Sequence, residues 1–580
     1  MTKLRARLQD WMEETHSGGF ELRRHFFLRF FDSDFVTTPG QWRVVVGGAL
    51  ALLLSLSILY AQAYYHKYLI LNRLHTAEPY ETAVVADVLF VITLAIFLMG
   101  LFTTLLWPSL FPGLRDYLAL AGLPVRMRQV FVARFTALLS LAALFVIAIN
   151  LLPSIVLPMD MAGDYYGTAA MRQMPAMFVS CSLASWFVFF SLVALQGVLL
   201  NALPVRWFPR VSLAVQGGLL AVLLCGLPLV VSIPDLQGFM RLRPAGAVWA
   251  PPLWFLGLDQ VMVGNREPFA VRLAWFGAAG VTGASALAVL TYLWSYRRHR
   301  VRLLESPTVE SAAGRAYLAT LSDRFVRNPR ELAVFAFIAK ILGRSRQHRL
   351  VLTAFAAIAL ALIVESFVSL AAGRNFHGFT SRTPGLRQAV IAAPLALSLF
   401  VLAGYRYLFR LPVELPANWV FRVNEPGNRL AFLNAVERFL FCCAVVPVAL
   451  LTLPLEVGFL GVRAGCVAAA LCLAPSLILM ELLLAQFDRI PFTSSYLPGQ
   501  RPLVETVVRY AIAVAFYVSV LSIIVNWCLD TTAGTLALAA AYLLLWWRVR
   551  DGRRELRQIG QIEFEELPEP AVLTLSIDRD

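Results

Sequence analysis

Long apolar stretches alternate with short polar ones along almost the whole chain. Twelve stretches have roughly the length that a helix needs to cross the hydrocarbon core of a bilayer, about 20 residues. They lie at approximately 44–65, 84–107, 130–152, 176–200, 211–233, 269–294, 350–372, 388–408, 436–455, 464–485, 508–528 and 533–548, and the last is the shortest. The pattern predicts an all-α polytopic membrane protein with about 12 transmembrane helices.

The twelve stretches fall into two sets of six, separated by the polar segment 295–349. A basic amphipathic segment precedes each set, at 20–31 and at 328–346. In the second segment Asn328 can cap a helix that begins at Pro329. Its apolar stripe is predicted to consist of Leu332, Phe335, Ile338 and Leu342. Such a helix is expected to lie along the inner leaflet.

This arrangement divides the chain into five parts. They are a cytoplasmic N-terminus with an amphipathic connecting helix (1–43), a first six-span half (44–294), a cytoplasmic linker with the second amphipathic helix (295–349), a second six-span half (350–548) and a cytoplasmic C-terminal tail (549–580). The two halves are predicted to be pseudo-repeats. Leu-Pro-Val recurs at 123–125 and 411–413, and Arg-Phe leads into the following span at Arg134 and Arg438.

The distribution of basic residues predicts which loops are cytoplasmic. With the N-terminus inside, 39 of the 50 lysines and arginines fall in segments on the cytoplasmic side. Loops rich in lysine and arginine stay in the cytoplasm during insertion. We therefore expect a multi-pass protein of the cytoplasmic (inner) membrane, with both termini inside.

Composition excludes most soluble classes of protein. Apolar residues make up 59% of the chain and charged residues 15%, whereas soluble domains carry roughly 25% charged residues. The net charge of +14 does not indicate nucleic acid, because no basic cluster is interleaved with the exposed aromatics that base stacking needs. None of the seven cysteines forms a CxxC pair or lies near a histidine at metal-ligand spacing, so neither a metal site nor a bound cofactor is predicted.

The sequence contains none of the common catalytic motifs. It has no GxxxxGK[ST] phosphate loop, no GxSxG nucleophile elbow and no HExxH zinc helix. We therefore predict no catalytic residue and no ATP hydrolysis by this chain itself.

Three acidic residues fall within otherwise apolar stretches: Asp87, Glu365 and Glu481. An unpaired charge at the centre of a bilayer costs about 2.5–3.5 kcal/mol on insertion scales, so each should face a partner or water. Two interpretations stay open. These acids line a path for substrate or protons, or they make structural hydrogen bonds between helices.

The loops that follow the second span of each half carry a dense set of charged side chains. In the first loop these are Arg115, Asp116, Arg126 and Arg128, with Tyr117 beside them; in the second they are Glu414, Arg422, Glu425 and Arg429. Short amphipathic segments of this kind suit docking on another protein or lying at the lipid surface. The alternative is that these loops only fix the topology and bind no partner.

The segment LFPGLRDYLALAGLPVRMRQVFVARF at 110–135 resembles the corresponding loop in transmembrane subunits of ATP-binding-cassette exporters of the type-2 permease class. The segment 244–258, which contains WAPPLWFLGL, is similar to the re-entrant outer element of that family. The chain departs from the family in fusing two six-span units and in having almost no outer loop at 529–533. The resemblance implies a separate cytoplasmic ATP-binding subunit, in two copies, which holds ATP and Mg²⁺.

Three functions are compatible with these observations. The leading one is an exporter permease that moves a lipid, glycan, drug or peptide, with Arg115–Arg128 and Glu414–Arg429 contacting the ATPase. The second is a polytopic transferase acting on a lipid-linked substrate through Glu78, Glu81 and Asp87. The third is a secondary transporter driven by protons through Glu365 or Glu481.

Overall fold

The computed structural model describes residues 22–27, 62, 64–73, 77–111, 127–162, 169–204, 207–231, 249–304, 328–372, 385–411, 418–424, 429–485, 490–493, 509 and 512–559. Within these ranges all regular secondary structure is helical. Contacts between Cα atoms divide the chain into two compact units, Met1–Val309 and Glu310–Asp580. Their boundary lies inside the segment 295–349.

The first unit is built around one long central helix. Its described helices are α1 (22–27), α2 (64–73), α3 (Ala77–Leu105), α4 (Met127–Asp160), α5 (Ala169–Ala202), α6 (Phe208–Val231), α7 (Pro251–Val263) and α8 (Pro268–Leu304). Helix α3 packs against α4, α5, α6 and α7. Between Ala83 and Met99 its apolar side chains are buried or half-buried on every side, as expected of a helix that is apolar all round.

Helices α7 and α8 form a tight helical hairpin. Gly264 ends α7 in the left-handed conformation (φ +118°), which glycine adopts without steric cost. With 13 residues, α7 is about 20 Å long, which is shorter than the roughly 30 Å hydrocarbon core. It packs against α3, α5 and α8. The segment 244–258, for which the resemblance implied a re-entrant element, thus contains a helix from Pro251 onward, and residues 232–248 lie outside the described part.

The second unit also surrounds a buried helix. Its described helices are α9 (Pro329–Arg344), α10 (Arg346–Ala372), α11 (Leu386–Leu408), α12 (Asn418–Asn424), α13 (Arg429–Leu440), α14 (Val446–Leu460), α15 (Val462–Leu484), α16 (Leu521–Cys528) and α17 (Thr532–Ile559). Helix α11 is largely buried and packs against α10, α14, α15 and α16. Only 529–531 separates α16 from α17, in agreement with the short outer loop predicted there.

Two π-helical segments interrupt this unit, at Phe441–Val445 and Val514–Val520. The first connects α13 to α14 and ends two residues before Pro447. Proline has no N–H and its ring collides with the carbonyl four residues earlier, here that of Cys443. The Tyr405 hydroxyl lies 3.4 Å from this carbonyl oxygen and donates to it. The proline therefore explains why the helix widens here.

Ten described helices are long and apolar enough to cross a membrane. They correspond to ten of the twelve predicted stretches. Of the other two, 508–528 contains a shorter apolar helix, Val514–Cys528, and 44–65 lies almost wholly outside the described residues. The described part is that of a polytopic all-α membrane protein.

Helices α8 and α17 continue beyond the predicted span ends, to Leu304 and Ile559 rather than 294 and 548. The apolar runs stop where predicted, but the following arginine, leucine and glutamate residues favour helix in water as well. The hydropathy pattern therefore gives the end of the apolar run and not the end of the helix.

The amphipathic helix α9 begins as predicted but is covered by protein. Asn328 caps it by accepting a hydrogen bond from the Arg330 N–H at 3.1 Å. Its side chains Phe335, Ile338 and Leu342 are buried, and the helix packs on α13. Helix α13 thus supplies an apolar partner for this stripe, and the position of α9 along the inner leaflet stays a prediction.

Candidate functional site

Helix α12 lies in the second charged loop and exposes apolar side chains. Phe421 is buried and fixes the helix through edge contacts with Phe337 of α9 and Phe432 of α13, at centroid distances of 5.1 and 5.8 Å. Trp419 and Val423 are one helical turn apart and are 67% and 71% exposed. Phe421 thus attaches the helix to α9 and α13, while Trp419 and Val423 are exposed.

In both units the arginine at the end of the charged loop contacts the amphipathic helix. Arg134 lies 5.5 Å from the ring centroid of Phe26 in α1, and it donates to the Ser109 carbonyl at 2.8 Å. Arg438 forms an ion pair with Glu331 of α9 at 2.7 Å. The predicted Arg-Phe repeat thus occupies comparable positions in the two units.

A buried ionic cluster lies beside Arg438 in the second unit. Arg553 of α17 forms ion pairs with Glu481 of α15 and with Glu437 of α13, the latter at 3.5 Å. The side chains of Arg553 and Glu481 are 5% and 2% exposed. Removing one member of a buried pair is costly, about 3–5 kcal/mol, because the other charge is left unpaired. The cluster therefore connects α13 firmly to α15 and α17.

A partly buried ion pair lies in the first unit, between α2 and α3. Lys67 donates to both oxygens of Asp87, at 2.6 and 2.7 Å, and the Tyr68 hydroxyl donates to Asp87 Oδ2 at 2.7 Å. Asp87 is fully buried. The Lys67 ammonium also lies 5.5 Å from the Tyr64 ring centroid. The carboxylate is therefore surrounded by one cation and by tyrosine side chains.

Asp259 is a buried carboxyl of the hairpin helix α7. Its Oδ2 accepts a hydrogen bond from Gln173 Nε2 at 2.8 Å, and its Oδ1 has no hydrogen-bond partner in the described structure. Burial raises the pKa of Asp259 to about 7, although the hydrogen bond from Gln173 acts in the opposite direction. The group therefore titrates close to neutral pH.

Polar groups also meet inside the second unit. The Tyr517 hydroxyl is hydrogen-bonded to the hydroxyls of Ser398, at 3.3 Å, and Ser476. Glu456 of α14 is buried and lies near Cys472 of α15. These contacts join α11, α14, α15 and the second π-helical segment.

The structure places the predicted intramembrane acids in two kinds of environment. Asp87 and Glu481 are buried in ion pairs, whereas Glu365 is exposed on α10. For the transferase hypothesis, Glu81 is exposed on α3, and the side chain of Glu78 is not described.

Most residues of the two charged loops lie outside the described part of the chain. Those outside are Arg115, Asp116, Tyr117, Arg126, Glu414 and Glu425. Arg128 lies in the first turn of α4 and Arg429 begins α13, while their side chains are not described; Arg422 is exposed on α12.

The buried or partly buried charged residues that sequence reasoning missed include Asp259, Glu437, Glu456, Arg553 and Lys67. Glu456 carried the same signal as Asp87, a single acid in an apolar run, but it lies just past the predicted end of its span. Glu437 and Arg553 lie in charged segments where nothing local distinguishes a buried residue from a solvated one.

Among the described residues no group of three or more His, Cys, Asp or Glu side chains is arranged to hold a metal ion. No known protein family, characterised protein or solved structure matches the chain.

Proposed function

We propose that this chain is the membrane-spanning permease of an ABC-type exporter in the cytoplasmic membrane. It moves a hydrophobic or amphipathic substrate with energy from a separate ATPase that docks on the cytoplasmic side. The observation that carries the proposal is α12, a short helix held by Phe421 that turns Trp419 and Val423 outward.

The exposed side chains of α12 suit a protein partner. Tryptophan and arginine are among the residues enriched at binding hot spots, and α12 presents Trp419 and Arg422, both exposed. Val423 is exposed beside them. A helix that lays an apolar face in a groove is a common mode of recognition. The excess of basic residues in the flanking segments favours a cytoplasmic position for this helix.

A continuous set of contacts leads from α12 to the membrane helices. Phe421 contacts α9 and α13. On α13, Arg438 is paired with α9, while Glu437 is paired with Arg553 of α17, which also holds Glu481 of α15. Packed side chains and ion pairs of this kind can carry a displacement between distant sites. A partner that moves α12 would thereby move α15 and α17.

The first test reconstitutes the purified chain with separate ABC-type ATPase subunits of the same cell; the proposal expects at least one of them to bind, and that subunit is used below. Trp419→Asp should lower its affinity for the purified chain at least about tenfold, which corresponds to the loss of about 1.4 kcal/mol at a binding hot spot. It should also abolish the stimulation of ATP hydrolysis by the chain. Trp207→Asp is the matched control, because Trp207 is 58% exposed in another predicted cytoplasmic segment.

Three results would contradict the proposal or its assignment to α12. Unchanged ATPase binding and stimulation by Trp419→Asp would remove α12 from the interface. Quenching of Trp419 fluorescence by brominated lipids, without any effect of the ATPase, would place α12 at the lipid surface instead. Transport that a pH gradient drives without ATPase would replace the exporter by a proton-coupled transporter.

A further inference from the structure

The ion pair between Lys67 and Asp87 lies within a group of tyrosine rings. The Lys67 ammonium is bound by both oxygens of Asp87 and lies 5.5 and 5.9 Å from the ring centroids of Tyr64 and Tyr68. A carboxylate combined with aromatic faces is the arrangement with which proteins bind alkylammonium ligands. Here a side chain of the protein itself occupies that position.

Asp87, Tyr64, Tyr68 and Tyr80 form the cage around the ammonium, and several contacts that hold this cage together do not involve Lys67. The Tyr68 hydroxyl donates to Asp87 Oδ2 at 2.7 Å. The Tyr68 ring meets the ring of Tyr80 edge to face at 5.5 Å, and the Tyr80 hydroxyl donates to the Met161 carbonyl. The tyrosines and the carboxylate are therefore positioned by one another and by α3.

Lys67 is the most accessible part of this group. Its side chain is 28% exposed, whereas Asp87 is fully buried and Tyr68 is 2% exposed. Lysine is also rare in the chain, since 47 of its 50 basic residues are arginine. A lysine ammonium is compact and sits on a flexible stem, unlike the planar guanidinium. It can leave the cage toward the surface, and it resembles an amine head group.

We propose that Asp87 with Tyr64, Tyr68 and Tyr80 forms a binding site for the alkylammonium head group of an amphiphile, and that Lys67 occupies this site when no ligand is bound. An incoming cation displaces the lysine ammonium from Asp87, so the buried carboxylate stays neutralised throughout. Binding of an alkylammonium head group at this site needs no partner protein. The further claim that the site holds the transported cargo rests on the proposed transport function.

The test measures binding of radiolabelled dodecyltrimethylammonium to the purified full chain in a maltoside detergent at pH 8. We expect saturable binding that dodecyldimethylamine oxide, a probe of similar shape without net charge, does not displace. Asp87→Asn should abolish it. Lys67→Met should tighten it about tenfold, because an internal competitor at millimolar or higher effective concentration is removed. Tyr64→Leu should weaken it about three- to tenfold.

Lys340→Met is the matched control, because Lys340 is exposed on α9, and it should leave binding unchanged. If Lys67→Met does not survive purification, Lys67→Gln replaces it with the same expected direction. Binding that is absent in the wild type, or equal in Asp87→Asn and the wild type, would overturn the proposal and leave an ion pair that is structural only. Either result leaves the effect of Trp419→Asp on ATPase binding untouched, so the two proposals fail separately.

Discussion

The buried carboxyl groups of this protein differ in what compensates their charge. Asp87 faces a lysine and Glu481 faces an arginine, whereas the hydrogen bond to Asp259 comes from the neutral amide of Gln173. An ionised carboxylate without a cation is costly in an apolar interior, and the group takes up a proton instead. We therefore expect Asp259 to make the stability of the α7–α8 hairpin depend on pH.

The pKa of Asp259 rises from 3.8 to about 7 on burial, so its protonated form is favoured in the folded state. The protonated Asp259 carboxyl contributes in full to the free energy of unfolding below pH 3.8, and this contribution is lost as the pH rises through 7. The loss amounts to at most about 4.5 kcal/mol, from about 1.4 kcal/mol per pKa unit. The apparent Tm of the wild type should therefore fall between pH 5 and pH 8.

Asp259→Asn removes the titrating group and should have a nearly constant Tm over the same interval. Glu81→Gln serves as the control, since Glu81 is exposed, and it should keep the pH dependence of the wild type. Equal pH dependence of Asp259→Asn and the wild type would show that other groups cause the change.

At the scale of helices, close approach is decided by single small residues. A Cβ added at Gly257 of α7 would lie 2.5 Å from Leu273 Cβ and 2.8 Å from the Ala270 carbonyl oxygen, both in α8. A backbone atom cannot turn aside as a side chain does. The two helices of the hairpin can therefore keep this distance only with glycine at 257.

Gly257→Ala should lower the stability of the purified chain by about 1–3 kcal/mol, as overpacking does, and reduce its apparent Tm in detergent. Gly283→Ala is the matched control in α8, because no atom lies within 4 Å of its added Cβ. That variant should be neutral or gain up to about 1 kcal/mol from helix propensity. A neutral Gly257→Ala would mean that α7 and α8 are not closely packed.

At the scale of the whole molecule, the chain consists of two helical units, each with a long buried helix at its centre. The orientation of these units in the membrane remains a prediction from the basic residues. It assigns the turn between α7 and α8 to the outside and the end of α9 to the cytoplasm.

Cysteine labelling in intact cells tests this orientation. In a Cys466→Ala background, which removes an exposed thiol, Arg266→Cys should react with a membrane-impermeant maleimide added outside. Arg344→Cys should react only after the cells are permeabilised. Both positions are exposed, so the difference reports sidedness. The reverse pattern would invert the topology and would place α12 on the outer side.

Much of the architecture could be predicted because the bilayer imposes it on the sequence. Ten of the predicted apolar stretches contain helices that can span a membrane, and Asn328 caps α9 as its position indicated. Local signals of this kind act within one or two helical turns. The contacts of the candidate sites, such as Phe421 with Phe337 or Arg553 with Glu481, join residues about 70 or more positions apart.

The amino-acid sequence alone determined that this is a helical membrane protein and where most of its apolar helices lie, because a helix satisfies its own backbone in lipid and only its hydrophobicity must match the bilayer. Tertiary structure decided which charged residues are buried and paired, that α9 packs on α13, and that Lys67 reaches a carboxylate among tyrosines. Such pairings depend on which helices become neighbours, and a charged residue within a helix has the same local sequence signal whether its partner is water or another side chain.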